Sequence, residues 1–227
     1  MSTPDRRRAP AGDGLLIVGL VGRTGSGKTT VAEALRADGA AVLSADRVGH
    51  EVTDHDPEVR AALAAEYGPA IYRADGALDR RAVAARVFAD PRARARLDAL
   101  VHPRLVARLR AALEALRAER FHGAVVVDAA LLLEWGFERE CDAVIAVVAP
   151  EADQVARLAR ARGWSAEEAR ARLAAQRTDA AFAAAADETI DNRGSVEDLA
   201  RAARAALRRI AARRGARERM EDDAHHG

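Results

Sequence analysis

Unbroken apolar runs at 15–20, 41–43, 124–127 and 143–148 interrupt a chain whose apolar positions otherwise recur at helical spacing. Runs that do not alternate with polar residues predict strands buried on both faces, as in a parallel sheet covered by helices. A last short strand and turn is predicted over 187–192. Val31, Ala34 and Leu35 share one face of a helix over 29–38, which ends at Gly39, a residue suited to a left-handed C-terminal cap. Leu199, Ala203, Leu207 and Ile210 line a closing helix that starts at the capping sequence Ser195-x-x-Asp198.

From 57 to 120 no strand pattern is present. This stretch predicts helices over 57–67, 80–88, 91–100 and 103–120, three of them opened by proline, with turns at Tyr67-Gly68-Pro69 and Asp75-Gly76. The crossover, about 50–122, is longer than two parallel strands need, and extra length of that kind carries substrate contacts. A second helical segment, about 151–180, holds Arg157, Arg160, Arg162, Arg170, Arg172 and Arg177, a Gly163-Trp164 break and a capping box at Ser165-x-x-Glu168. It predicts a lid at the C-terminal edge of the sheet whose inward arginines neutralise a transferring phosphate, although a solvated helix face explains many arginines in so arginine-rich a chain. A single domain over 14–212 with charged tails at 1–13 and 213–227 is the expected organisation.

The chemistry concentrates after the first run, at Gly22-Arg23-Thr24-Gly25-Ser26-Gly27-Lys28-Thr29 followed by Thr30. This is G-x-x-x-x-G-K-[ST] between a predicted strand and a predicted helix, the context in which glycines turn successive N–H groups toward a phosphate. The helix N-terminus adds positive potential, Lys28 reaches the outer phosphates, and the Thr29 hydroxyl suits magnesium. Of 36 Lys and Arg residues, Lys28 is the sole lysine. A compact ammonium on a flexible stem can thread such a loop, whereas a planar guanidinium cannot.

Other candidates are less specific. Asp46 follows the second strand, at the sheet edge where open α/β folds bind ligands, and it equally suits an N-cap of the next helix. Asp128 ends a four-residue apolar run, a pattern that supplies a carboxylate near magnesium in phosphate-loop enzymes. His102 precedes Pro103 at a predicted helix junction, where a structural hydrogen bond is the plainer role. Glu134 lies within an apolar segment whose Trp135 and Phe137 read as core.

Composition narrows the classes. The chain has 227 residues and a net charge of +1, so nothing global favours nucleic acid or a membrane surface. No run approaches the length of a membrane span, and the first residues carry Arg6-Arg7-Arg8 without the apolar core of a signal peptide. The lone Cys141 fits a small buried residue in a reducing, cytoplasmic setting. Aromatics are only 4%, so the core is built from Ala, Leu and Val.

The ordered markers resemble the dephospho-CoA kinase family over nearly the whole chain, from about Leu15 to Leu207. They are Gly19 through Thr30 at the loop, Ser44-Ala45-Asp46, Asp75 through Arg80 with Val87-Phe88, and His102-Pro103. Asp128 with Leu131 through Glu134, Arg157-Leu158 with Arg162-Gly163, Ala174-Ala175-Gln176, and Asp187 with Ile190 through Asn192 and Gly194-Ser195 complete the set. Departures are Ser44 for an aspartate, Arg23 and Thr24 within the loop, and Ala130 for a proline. The resemblance implies a three-layer parallel-sheet P-loop kinase core with a helical acceptor-binding insertion and an arginine-rich helical lid. It implies transfer of the γ-phosphoryl group of ATP, with Mg2+, to the 3′-hydroxyl of dephospho-CoA, the small-molecule partner.

The same resemblance implies roles for the candidates. Backbone N–H groups along the loop, with Lys28, would hold the phosphates. Thr29 and Asp128 would serve the metal, and Asp46 would orient the hydroxyl and take its proton late. Arg162 and Arg157 would close over the phosphates, with His102 and Glu134 on the acceptor. Another small-alcohol or nucleoside kinase is the alternative within the class. A nucleotide-controlled switch is the alternative outside it, but its N-K-x-D segment is absent from a chain with one lysine. Monomer and small homo-oligomer both remain open.

Overall fold

The computed structural model describes residues 14–225, so the expected tail at 1–13 lies outside the described residues. In chain order the elements are β1 (Leu15–Val21), α1 (Lys28–Ala37), β2 (Ala41–Ser44), α2 (Ala45–His55), α3 (Pro57–Tyr67), α4 (Arg80–Ala89), α5 (Pro91–Ala118), β3 (Gly123–Asp128), β4 (Ala143–Val148), α6 (Glu151–Arg162), α7 (Ala166–Ala174), α8 (Asp179–Ala185), β5 (Glu188–Asp191) and α9 (Val196–His225), with 3-10 turns at Pro69–Ile71 and Phe137–Glu140. The chain divides into two compact units: one runs to Leu43 and resumes at Arg117, and the other is Ser44–Leu116.

The first unit is built on a five-stranded sheet of order β2-β3-β1-β4-β5. β1 is parallel to both β3 and β4, and β5 is parallel to β4. All seven residues of β1 are buried, which is what its unbroken apolar run requires of a central strand. Leu16, Val18 and Leu20 face a cluster containing Val31 and Leu35 of α1 and Leu199, Ala203 and Ile210 of α9. On the opposite face a Cβ at Gly19 would lie 3.0 Å from Leu132 and 3.4 Å from Cys141, so the segment after β3 packs directly on the strand. Cys141 and Phe137 are buried, as expected.

Three differences from the expected elements have physical causes. The helices expected over 91–100 and 103–120 are one 28-residue helix, α5, with Pro103 inside it. Proline in a helix interior costs about 3 kcal/mol, but Val101, Leu105, Leu109 and Leu113 form a buried stripe at i, i+4 spacing that spans the proline and outweighs the lost bond. Helix α8 was not expected. Its signal is Thr178, whose hydroxyl caps Ala181 N–H ahead of an alanine-rich stretch. The expected tail at 213–227 is helical as far as His225. Its first charges are anchored: Arg213, with Arg209 one turn before it, reaches Glu188, at 2.7 and 2.6 Å, and Arg214 bonds Asp142 at 3.1 Å and the Leu15 carbonyl. Asp142 in turn accepts from Ile17 N–H at 2.7 Å.

The second unit is helical around its own core of Val52, Val59, Leu63, Tyr67, Ile71, Leu78, Val83, Ala93 and Val101. Asp56 caps α3 by accepting from Glu58 and Val59 N–H ahead of Pro57 at the first helical position. The turn around Asp75 and Gly76 is tied to α2 by a polar knot. Asp54 accepts from Leu78 N–H and from Arg80, both at 2.9 Å, and Arg80 also donates to Thr53 Oγ1 at 3.0 Å. Arg60 donates to the Asp54 and Gly76 carbonyls and stacks on Tyr72. Arg80 thereby fixes the last turns of α2 to the start of α4.

Candidate active site

The loop between β1 and α1 folds as its glycines dictate. Gly22, Gly25 and Gly27 have φ of 143, 79 and 108°, values that other residues rarely adopt. Space forbids a side chain as well: a Cβ at Gly22 would lie 2.2 Å from the Val147 carbonyl, and one at Gly27 would lie 2.4 Å from Asn192 Nδ2. Gly27 N-caps α1 without a side-chain bond, so the positive end of that helix faces the loop without a capping side chain over it. Lys28 is the first residue of α1 and donates to the Gly22 carbonyl at 2.8 Å and the Arg23 carbonyl at 3.4 Å. The ammonium therefore lies across the loop that carries it. Thr29 is exposed at the second position of the helix, Thr30 is half-buried at the third, and Ser26 is wholly buried.

The rest of the first unit braces this loop. Thr24 donates its N–H and its hydroxyl to Gln176 Oε1 at 2.9 and 3.2 Å. Arg157 donates to the Gly25, Ser26 and Asn192 carbonyls, and Asn192 Nδ2 donates to the Ser26 carbonyl at 2.7 Å. Arg23, though charged, is buried, with Nη1 3.5 Å from Glu151. Gln154 is fully buried and spans from the Ala149 carbonyl at 2.7 Å to Asp179 at 2.6 Å, tying α6 to α8. Sequence reasoning assigned no role to Gln154, Gln176 or Asn192. The available signal was a polar residue on the apolar side of a helix, as Gln154 is beside Val155 and Leu158.

Asp128 is paired in register with Leu20, one residue before the end of β1, so its carboxylate is at the C-terminal edge of the sheet beside the loop. Glu134 forms an ion pair with Arg177 at 2.6 Å. The predicted capping box is present, with Ser165 and Glu168 bonded reciprocally, and Gly163 ends α6 at φ 68°. Arg162 is exposed in the last turn of α6. Arg160 and Arg170 are likewise exposed, and Arg172 stacks on Trp164 at 4.2 Å. Of the arginines expected to face inward, Arg157 is the one braced against the loop.

Asp46 and His102 belong to the second unit. Asp46 is the second residue of α2 and exposed, while the cap is Ser44, whose hydroxyl accepts from Arg47 N–H in a long bond of 3.4 Å. The N-cap role considered for Asp46 thus falls to Ser44, and Asp46 is an exposed acid in the first turn of α2. His102 is 3.3 Å from Asp98 one turn earlier on α5. Burial holds the His102 imidazole below its ordinary value, Arg94 adds to that, and Asp98 opposes it.

Among the described residues no group of three or more His, Cys, Asp or Glu side chains is arranged to hold a metal. Thr29 and Asp128 instead offer one hard oxygen each, the kind of partial donor set that suits Mg2+ held together with substrate phosphates and water. No helix among them is long and apolar enough to cross a membrane.

Comparison with known proteins bears on all of this. A protein named dephospho-CoA kinase from Symbiobacterium thermophilum is 41% identical over 211 residues, covering 93% of this chain and 88% of its own length. Another of that name from Anaeromyxobacter dehalogenans is 42% identical over 184 residues, 81% of this chain and 87% of its own. A solved structure from Thermus thermophilus superposes with a TM-score of 0.73 at 34% identity, covering 86% of this chain and 97% of that one. The dephospho-CoA kinase family pattern itself matches residues 16–198, and the chain belongs to that family.

Proposed function

We propose that this protein transfers the γ-phosphoryl group of ATP to the ribose 3′-hydroxyl of dephospho-CoA, giving coenzyme A and ADP. The observation that carries the reading is the loop of β1–α1: glycines at positive φ, a helix that starts without a side-chain cap and the sole lysine folded over it, in a chain of this family. The acceptor follows from the relatives, which share about two-fifths of their residues with it across most of their length.

Phosphoryl transfer passes through a loose transition state, so positioning and charge neutralisation dominate over deprotonation. Thr24 N–H is given to Gln176 and Ser26 N–H to the Arg23 carbonyl, so the loop N–H groups that hold the phosphates are those of Gly25 and of Gly27 onward, and Lys28 leaves its two carbonyls to bridge them. Thr29 and Asp128 would hold Mg2+, which neutralises phosphate charge when bound. Asp46 orients the acceptor hydroxyl and accepts its proton late. Arg162 adds positive charge from the end of α6, and His102 and Glu134 serve the acceptor.

The reading is tested by ADP release with a panel of acceptors. Dephospho-CoA should exceed nucleosides and sugar acids in kcat/KM by about a hundredfold or more, the scale set by a site that hydrogen-bonds its substrate. Equal turnover across the panel would overturn the choice of acceptor, and ATP binding without any acceptor-dependent turnover would overturn the kinase reading.

A further inference from the structure

A phosphate loop presents its N–H groups inward only if its carbonyls turn outward, and each outward carbonyl then needs a donor of its own. Within this loop the Gly22 and Arg23 carbonyls receive Lys28, and the Gly27 carbonyl receives Val31 N–H of α1. The Gly25 and Ser26 carbonyls are the ones held from outside. Arg157 Nη1 donates to them at 3.1 and 3.4 Å, and Asn192 Nδ2 reaches the Ser26 carbonyl at 2.7 Å. Arg157 is also tied to the main chain of its partner brace, since its Nη2 donates to the Asn192 backbone carbonyl at 3.2 Å.

Both braces are themselves anchored. Asn192 is buried just past β5, and its N–H donates to the Val148 carbonyl at the end of β4. Arg157 projects from α6 between the buried Val155 and Leu158, and a Cβ at Gly25 would lie 3.3 Å from Leu158. The fork of a guanidinium can serve three carbonyls at once, which a lysine ammonium on a flexible stem does less well. Gly27 has a second reason to be glycine here, because any side chain would displace Asn192 from the Ser26 carbonyl.

We propose that Arg157 is a positioning residue for the phosphate loop, acting with Asn192 to hold the Gly25 and Ser26 carbonyls outward, and not a residue that touches the acceptor. This rests on the reading of the loop as a nucleotide-phosphate site. Its chemical consequence is selectivity: Ser26 N–H is spent on the Arg23 carbonyl, but Gly27 N–H shares its peptide plane with the braced Ser26 carbonyl and is aimed at the β-phosphate, so the brace governs preference for ADP over AMP.

The test is calorimetric titration of the whole protein with ADP and with AMP, for the wild type, Arg157→Ala, Arg157→Lys, Asn192→Asp and the Arg157→Ala/Asn192→Asp pair, alongside KM for ATP and dephospho-CoA. Arg157→Ala is expected to weaken ADP roughly tenfold or more while changing AMP by less than about threefold, with KM for dephospho-CoA within about twofold. Arg157→Lys should recover only part of the loss. The double variant should lose less than the product of the two single losses, because both side chains hold one carbonyl. Unchanged ADP affinity with a raised KM for dephospho-CoA would overturn the proposal and make Arg157 an acceptor contact. Equal weakening of ADP and AMP would overturn it as well, marking a general structural role. If Arg157→Ala does not fold, by far-UV circular dichroism, Arg157→Lys and Asn192→Asp carry the same readout. A wild type that shows no preference for ADP over AMP would instead defeat the reading of the loop itself.

Discussion

Thr24 gives both of its donors to one atom: its N–H and its hydroxyl converge on Gln176 Oε1, at 2.9 and 3.2 Å, across 152 positions of sequence. A residue inside the phosphate loop is thereby fastened to the segment between α7 and α8, and the threonine that departs from the family's usual residue supplies the second bond.

Removing the acceptor tests this fastening. Gln176→Ala is expected to lower kcat/KM for ATP by about tenfold, the equivalent of one or two hydrogen bonds, with KM for dephospho-CoA nearly unchanged. Thr24→Val deletes only the hydroxyl and should cost less, about threefold. Steady-state rates with each substrate varied in turn check both, and a rise confined to the dephospho-CoA KM would refute the assignment.

Asp46 and Ser44 separate chemistry from capping. Asp46→Asn should leave ADP affinity within about twofold while lowering kcat by about a hundredfold or more, the range for a lost general base. Ser44→Ala removes the α2 cap and is expected to cost about 1 kcal/mol of stability with a much smaller effect on kcat. Near-normal turnover by Asp46→Asn would dismiss its role.

Acid should weaken the attachment of α9. The Arg209 hydrogen bond draws the Glu188 carboxyl below its ordinary 4.5, Arg213 adds to this, and burial works against both. A carboxyl lowered in the folded state contributes stability that is complete above its unfolded value and lost as pH falls through its folded value. Melting temperatures of the wild type should therefore drop as pH falls below about 4.5, and Glu188→Gln should melt lower at neutral pH but decline less steeply in acid. Parallel curves for the two proteins would show that Glu188 is not part of the acid response.

Pro103 offers a gain rather than a loss. Pro103→Ala restores a backbone donor inside α5 and is expected to stabilise by about 1 kcal/mol or more, raising Tm by roughly 2–4 °C per kcal/mol. Thermal unfolding followed by circular dichroism decides this, and a lower Tm would mean that the proline is required by its surroundings.

The centre of the sheet was readable because β1 and β4 are buried on both faces, so burial wrote itself into the apolar runs 15–20 and 143–148. The loop was readable because its glycines answer a local geometric demand. The junction of β2 with the helix carrying Asp46 was readable, but the identity of the helix cap was not, since Ser44 and Asp46 are both competent caps and only the path of the backbone chooses. Pro103 misled because a proline signals helix breaking locally, while the buried stripe of Val101 and Leu105 that overrides it depends on tertiary packing. The braces Gln154, Gln176 and Arg157 were illegible as braces: each bonds backbone or side chains far along the sequence, and no spacing rule reports such a meeting.

The reach of α9 back to β1 orders events in time. The group that completes the polar surroundings of Leu15 and Ile17, Arg214, is synthesised 199 residues after Leu15. The central strand is thus synthesised well before the side chain that completes its polar surroundings, so its last bonds form only after the strands on both sides of it have been made.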